Sequence, residues 1–225
     1  GEAATLSDEE QIDLLRAVRG EVGPDALLIC GSGTNDTRHS VELTRKADAA
    51  GADAMLVVTP YYNKPNRAGI RAHVEAIAAC TVKPIVLYNI PSRTVVNVDP
   101  YQHADLGPIE GLDVLAGNDA VFLRCLEIGG PGGITVASHI VGPQMAAIHE
   151  RFEAGDIEAA REINAGLAPI YEALAVTTNP IPLKGALQML GLCSERMRLP
   201  MVPLDEGQRE VVGAALERAG LEVVG

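Results

Sequence analysis

Three of the five tyrosines in this 225-residue chain, Tyr61, Tyr62 and Tyr88, directly follow short apolar runs. A phenol at such a place can donate a proton in one step and accept it back in the next. The same rings can equally well plug the top of an apolar core, with their hydroxyls satisfied by backbone. Arg93 lies five residues beyond Tyr88, where a planar guanidinium can hold a carboxylate through two parallel hydrogen bonds or simply face solvent. Other chemistries find no footing. The five histidines, His39, His73, His103, His139 and His149, show no metal-ligand spacing, so no metal site is expected. There is no GxSxG elbow, no GxGxxG and no P-loop. Gly129-Gly130-Pro131-Gly132-Gly133 lacks a following GK[ST] and reads as a tight turn into a strand.

The elements that would position these residues are legible as alternating strands and helices. Apolar runs at 26–30, 54–59, 84–88, 112–116 and 133–136 are hydrophobic on nearly every residue, the pattern of parallel strands covered on both faces. The first four begin about every 28 to 30 residues, which is the pitch of βα units. Ser7 and Glu10 form a capping box ahead of Ile12, Leu15 and Val18. Thr37 is expected to cap a second helix that stops at Gly51, and 67–80 to form a third. From about Gly142 the strand pattern disappears, and helices are expected over 143–153, 157–174, 181–190 and 205–219. The fold class is therefore α/β, a parallel (β/α)8 barrel that is incomplete in this chain, over residues 1–153, with a helical appendix over 154–225. In such folds ligands sit beyond the carboxyl ends of the strands, where Tyr61, Tyr62, Tyr88 and Arg93 fall.

Formal net charge is −12, which disfavours nucleic acid and anionic membrane surfaces as partners. Cys30, Cys80, Cys125 and Cys193 lie far apart, as expected of reduced thiols in a cytoplasmic protein. No apolar run reaches the ~18 residues of a membrane helix. The opening residues are not a secretory signal, and without a methionine the natural start is expected upstream.

Thr59-Pro60-Tyr61-Tyr62-Asn63-Lys64-Pro65 and Leu87-Tyr88-Asn89-Ile90-Pro91-Ser92-Arg93-Thr94 closely resemble the dihydrodipicolinate synthase family. Weaker matches at Gly117-Asn118-Asp119-Ala120, Asn179-Pro180-Ile181-Pro182-Leu183-Lys184 and Arg198-Leu199-Pro200-Met201 extend the resemblance over essentially the whole chain. It implies a lyase that joins pyruvate to aspartate semialdehyde in lysine biosynthesis through a lysine Schiff base, with no cofactor. Tyr88 would move protons beside the Schiff base, and Tyr62 would reach into a neighbouring subunit's site. Arg93 would clasp the semialdehyde carboxylate, and Gly117 and Ile134 would lie around pyruvate. The role of Tyr62 implies a homo-oligomer, at least a dimer, and the helical appendix suggests a dimer of dimers. Asn35 and Tyr61 match part of the family's allosteric lysine pocket. Asp8, Gln11 and His39 stand where lysine-sensitive members often carry histidine, histidine and glutamate, so weak or absent inhibition by lysine is expected.

The resemblance fails at the residue the chemistry needs most. The family's Schiff-base lysine ends the sixth strand, and none of Lys46, Lys64, Lys83 and Lys184 matches that place. Only 101–111 connects the motif ending at Pro100 to the run at 112–116, so roughly one βα unit is expected to be missing there. Gly1-Glu2 resembles the end of a strand loop, so the first two strands would precede it. Two other readings stay open: a pyruvate-dependent aldolase acting on keto-deoxy sugar acids, and a non-catalytic homologue serving as a binding or assembly partner.

Overall fold

The computed structural model describes residues 1–98 and 113–224. The chain divides into two compact units, Ala3–Gly107 and Gly1–Glu2 with Pro108–Gly225. No described helix is long and apolar enough to cross a membrane.

The amino-terminal unit is a three-stranded parallel sheet with helices on it. Its elements run α1 (Asp8–Val22), β1 (Ile29–Gly31), α2 (Thr37–Ala49), β2 (Ala54–Val58), α3 (Arg67–Ala78), β3 (Ile85–Tyr88) and α4 (Pro91–Thr94). The strands lie in the order β1-β2-β3, with Ile29 opposite Ala54 and Val58 opposite Tyr88. Met55 and Val57 of β2 are fully buried and pack in one cluster with Ile12 and Leu15 of α1, Leu43 and Ala47 of α2, and Ile77 of α3. Burying side chains of this size contributes roughly 1.5 to 3 kcal/mol each. The Ser7 capping box forms as expected: the Glu10 N–H donates to Ser7 Oγ at 3.2 Å and the Ser7 N–H to Glu10 Oε2 at 2.9 Å.

Two expectations are corrected in this unit. The cap of α2 is Asp36, whose carboxylate accepts from the His39 N–H at 3.1 Å. Thr37 is not the cap, because its hydroxyl is engaged with His73 Nδ1 at 2.9 Å. The first strand runs 29–31 and not 26–30, because side chains take its earlier backbone groups: Arg19 holds the Ala26 carbonyl and Asp53 the Leu28 N–H.

His73 of α3 is 4% exposed, and its Nε2 has no hydrogen-bond partner. Burial pushes its pKa below the ordinary value, and the nearby Asp36 charge opposes this only in part. As pH falls through about 6.5 the unfolded chain takes up a proton that the folded chain still refuses. Stability is therefore full above that pH and declines below it. Urea unfolding at pH 7.5 and 5.5 is expected to show this loss in the wild type and a shallower one in His73→Phe; equal slopes would remove His73 as the cause.

The carboxyl-terminal unit is helical: α5 (Phe122–Glu127), α6 (Ser138–Glu153), α7 (Ile157–Gly166), α8 (Ala168–Leu174), α9 (Ile181–Met189) and α10 (Glu206–Arg218). Its core includes Leu126, Val141, Ile148, Ile170, Ala186, Val212 and Leu216. Glu2 joins this unit by an ion pair with Lys184 Nζ at 2.8 Å and by accepting the Arg198 N–H at 2.8 Å. Both contacts hold the Glu2 carboxyl below its ordinary pKa, that of Lys184 being the stronger.

The strands expected over 112–116 and 133–136 are not strands among the described residues; Leu112 lies outside these. Only Ala116 and Gly133 form a bridge, with the Ala116 N–H donating to Gly132 O at 2.9 Å and the Ile134 N–H to Ala116 O at 2.8 Å. Pairing stops there because the Asp119 carboxylate takes the Val136 and Ala137 N–H groups at 2.8 and 3.0 Å. The sequence run 122–127, read as no particular element, is helical. The single helix expected over 157–174 is two, divided at Leu167, two residues ahead of Pro169. The helix expected from 143 begins at Ser138 and bends at Val141 (φ −121°, ψ 37°), since Pro143 offers no N–H and crowds the preceding turn. The described residues thus form a three-stranded parallel sheet with helices in one unit and a helical core in the other.

Candidate active site

The candidate residues of the amino-terminal unit stand at the carboxyl end of its sheet, at a strand end or just beyond one. The loop after β1 carries Asn35, the loop after β2 carries Tyr61 and Tyr62, and the loop after β3 carries Arg93. Tyr88 is the last residue of β3 and half-buried. The loops are tied together: the Asn63 amide donates to Asn35 O at 2.8 Å, and the Thr59 N–H to Tyr88 O at 3.0 Å. Tyr62 is 88% exposed and held at φ 71°, and Lys64 follows at φ 46°. Non-glycine residues in the left-handed region are uncommon, and two within three residues make a constrained turn that presents the Tyr62 ring outward.

The Arg93 loop is built by residues that sequence reading passed over. Thr59 and Thr94 are both buried, and the Thr59 hydroxyl donates to Thr94 Oγ1 at 3.2 Å. Asn89 closes the loop at its base, its amide nitrogen donating to Asn97 Oδ1 at 2.9 Å and Val98 O at 2.8 Å while its Oδ1 accepts the Val98 N–H at 3.0 Å. An asparagine placed directly after a strand was the available signal, since such residues commonly bond the backbone of the turn they enter. The turn PSRT ends at Val95, which is 68% exposed at φ 60°. A left-handed β-branched residue costs roughly 1 to 2 kcal/mol, and glycine would relieve most of it. Val95→Gly is expected to raise stability by roughly 1 kcal/mol, read as a higher thermal midpoint; a lower midpoint would contradict this.

In the carboxyl-terminal unit, Gly117 follows the bridged Ala116 and is exposed, and Ile134 is 44% exposed beside the bridged Gly133. These two residues are therefore brought together on adjoining segments. Gly133 has to be glycine, because a Cβ there would lie 2.8 Å from Ala116 O and 2.9 Å from the Phe122 ring. Ile134 borders an open groove that also touches Met145 and His149.

None of the four lysines is placed as a strand-end nucleophile. Lys46 lies on α2 and pairs with Asp8 Oδ2 at 3.0 Å, an interaction that raises its pKa and keeps it charged. Lys64 is exposed in the constrained turn, and Lys83 precedes β3, at the amino end of the sheet. Lys184 is tied to Glu2. Asp8 also accepts from His39 Nε2 at 2.8 Å; this bond first, and Lys46 second, hold its carboxyl below the ordinary range. Asp8 and His39, two positions of the lysine-pocket comparison, are thus paired with each other.

Residues 1–112 and 108–219 match the model of the Dihydrodipicolinate synthetase family. The chain is 40% identical to the 4-hydroxy-tetrahydrodipicolinate synthase of Moorella thermoacetica over 245 aligned positions, covering 98% of this chain and 84% of the relative. That alignment is longer than the chain's 225 residues, so it opens gaps in this chain. The crystal structure of dihydrodipicolinate synthase from Thermotoga maritima superposes with a TM-score of 0.94 at 33% identity, covering 98% of this chain and 84% of that one. The chloride-inhibited enzyme from Acinetobacter baumannii, solved in complex with pyruvate, gives 0.93 at 33% identity over 98% of this chain and 84% of that one. Identity at this level over nearly all residues, together with the family-model match over both halves, places the chain in the dihydrodipicolinate synthetase family.

Proposed function

We propose that the protein is a 4-hydroxy-tetrahydrodipicolinate synthase, a cytoplasmic lyase of lysine biosynthesis that condenses pyruvate with L-aspartate semialdehyde. We propose equally that the 225 residues in hand cannot by themselves perform its covalent step. The observation that carries the reading is Tyr88 at the end of β3, followed within one closed loop by Arg93. On this reading an amine condenses with the pyruvate carbonyl, losing water to give an imine. Loss of a methyl proton then makes the enamine that attacks the aldehyde. Tyr88 would carry protons for these steps without bringing a further charge, and Arg93 would hold the semialdehyde carboxylate. Gly117 and Ile134 would shape the pyruvate side. The outward ring of Tyr62 suits a role completed in a second subunit, within a dimer of dimers. Asn35 and Tyr61 would belong to the effector pocket, with Asp8 and His39 already paired.

The amine is the missing part. A lysine serves as nucleophile only when desolvation or a neighbour lowers its pKa, and ion pairing does the reverse for Lys46. Incubation with labelled pyruvate and borohydride is therefore expected to leave the chain unlabelled; a reduced adduct on Lys46, Lys64, Lys83 or Lys184 would overturn this. The placement of these lysines also favours the second reading, a non-catalytic homologue acting as a binding or assembly partner. Recognition of a carboxylate at Arg93 separates the two, because only the synthase reading requires it.

A further inference from the structure

We infer that Asn89 and Thr94 are positioning residues, which together set where the Arg93 guanidinium stands. The inference rests on the proposed role of Arg93 as a carboxylate clasp. Asn89 fastens the loop at both ends at once: it leaves β3 immediately after Tyr88, and its side chain satisfies both the N–H and the carbonyl of Val98. Residues 89 to 98 thereby become a short closed loop whose ends meet, the kind that holds a fixed shape through its own side chains. Thr94, next to Arg93, fastens the middle. Its buried hydroxyl accepts from Thr59 at 3.2 Å and lies 3.1 Å from Ile90 O and 3.0 Å from Val96 O. Through Thr59, whose N–H bonds Tyr88 O, this pin is anchored to the ends of β2 and β3. The strained Val95 directly after it marks a backbone that its surroundings over-determine, and such residues cluster at ligand clamps. An exposed arginine on an unfastened loop would have to be ordered each time a ligand bound, at a cost in affinity.

The test is a titration of the chain with succinic semialdehyde, which keeps the aldehyde and the carboxylate of the proposed substrate. It is followed by nitrogen NMR of the Arg93 side chain in wild type, Asn89→Asp, Thr94→Val and Thr94→Ser, with Arg93→Gln identifying the Arg93 signal by its loss. Asn89→Asp keeps the bond from the Val98 N–H and loses both donations. Thr94→Val keeps the shape and loses the hydroxyl, which Thr94→Ser restores. Binding about tenfold weaker in Asn89→Asp and Thr94→Val, recovered in Thr94→Ser, with unchanged amide exchange in α1 to α3, is the expected result. Affinities equal to wild type in both weakened variants would overturn the inference and leave the clasp standing. No response of Arg93 in the wild type would sink the clasp, and the inference with it. Should Thr94→Val fail to fold, Asn89→Asp decides alone.

Discussion

Arg19→Ala is expected to destabilise the amino-terminal unit by roughly 2 to 3 kcal/mol, a large share of the stability of a domain this size. The guanidinium of Arg19 donates to three backbone carbonyls, Gly23 at 2.9 Å, Ala26 at 2.7 Å and Gly51 at 3.1 Å, and also to Asp53. These carbonyls belong to the end of α1, the approach to β1 and the turn after α2. One planar group thus fastens three connections, and each hydrogen bond to a charged donor is worth about 1 kcal/mol or more. The Asp53 pair is not counted, because solvent screens ion pairs at the surface. Asp53 itself accepts the Leu28 N–H at 2.8 Å, which holds its carboxyl below the ordinary range, with Arg19 adding to the effect. Lysine cannot substitute, since one ammonium does not span acceptors set out for a planar fork. Urea unfolding of Arg19→Ala and Arg19→Lys measures the loss, and a change under about 0.5 kcal/mol in both would show that the carbonyls find water at no cost.

How far the residues alone reveal this molecule depends on where each decision is made. The run 54–58 was legible because its own residues are all apolar, as suits a strand with a partner on each side. The Ser7 box was legible because both partners lie within four residues. Asp36 and Thr37 compete for one cap, and the contest is settled by His73 on another helix, beyond the reach of local pattern. Arg19 reads as a solvent-facing helical cation; only the fold brings residues 26, 51 and 53 to it. The runs 112–116 and 133–136 have strand composition, yet a strand needs partners along its length, and Asp119 withdraws the Val136 N–H that ends the second and the Ala137 N–H that follows it. Among the candidate residues, Tyr88 and Arg93 stand out by type and spacing. Thr59, Thr94 and Asn89 were missed because their importance lies in bonds to backbone and to other polar side chains of the loop, which leave little trace in residue identity.

Gly33→Ala is expected to cost about 3 kcal/mol, at the upper end for inserting a single methyl into a packed structure. Gly33 follows β1, and its N–H and that of Ser32 both reach the Leu56 carbonyl, at 3.3 and 3.0 Å. The loop therefore crosses β2 closely enough that a Cβ on Gly33 would lie 2.5 Å from Val58 N and 2.8 Å from Val57 Cα. Both are backbone atoms of a strand paired on two sides, so no side-chain rotation relieves the clash. Either β1 separates from β2 or the loop lifts. In both cases Asn35, two residues on, withdraws its carbonyl from the Asn63 amide, and the constrained Tyr61–Tyr62 turn loses its tie to the neighbouring loop. The substitution is thus expected to lower the unfolding midpoint and to raise amide exchange at Asn63 and its neighbours together. By contrast, alanine at Gly20, whose added Cβ would meet nothing within 4 Å, is expected to leave both unchanged or to stabilise its helix slightly. Equal midpoints for Gly33→Ala and wild type would mean that the loop yields without cost, and that the close crossing has no part in holding the tyrosine turn.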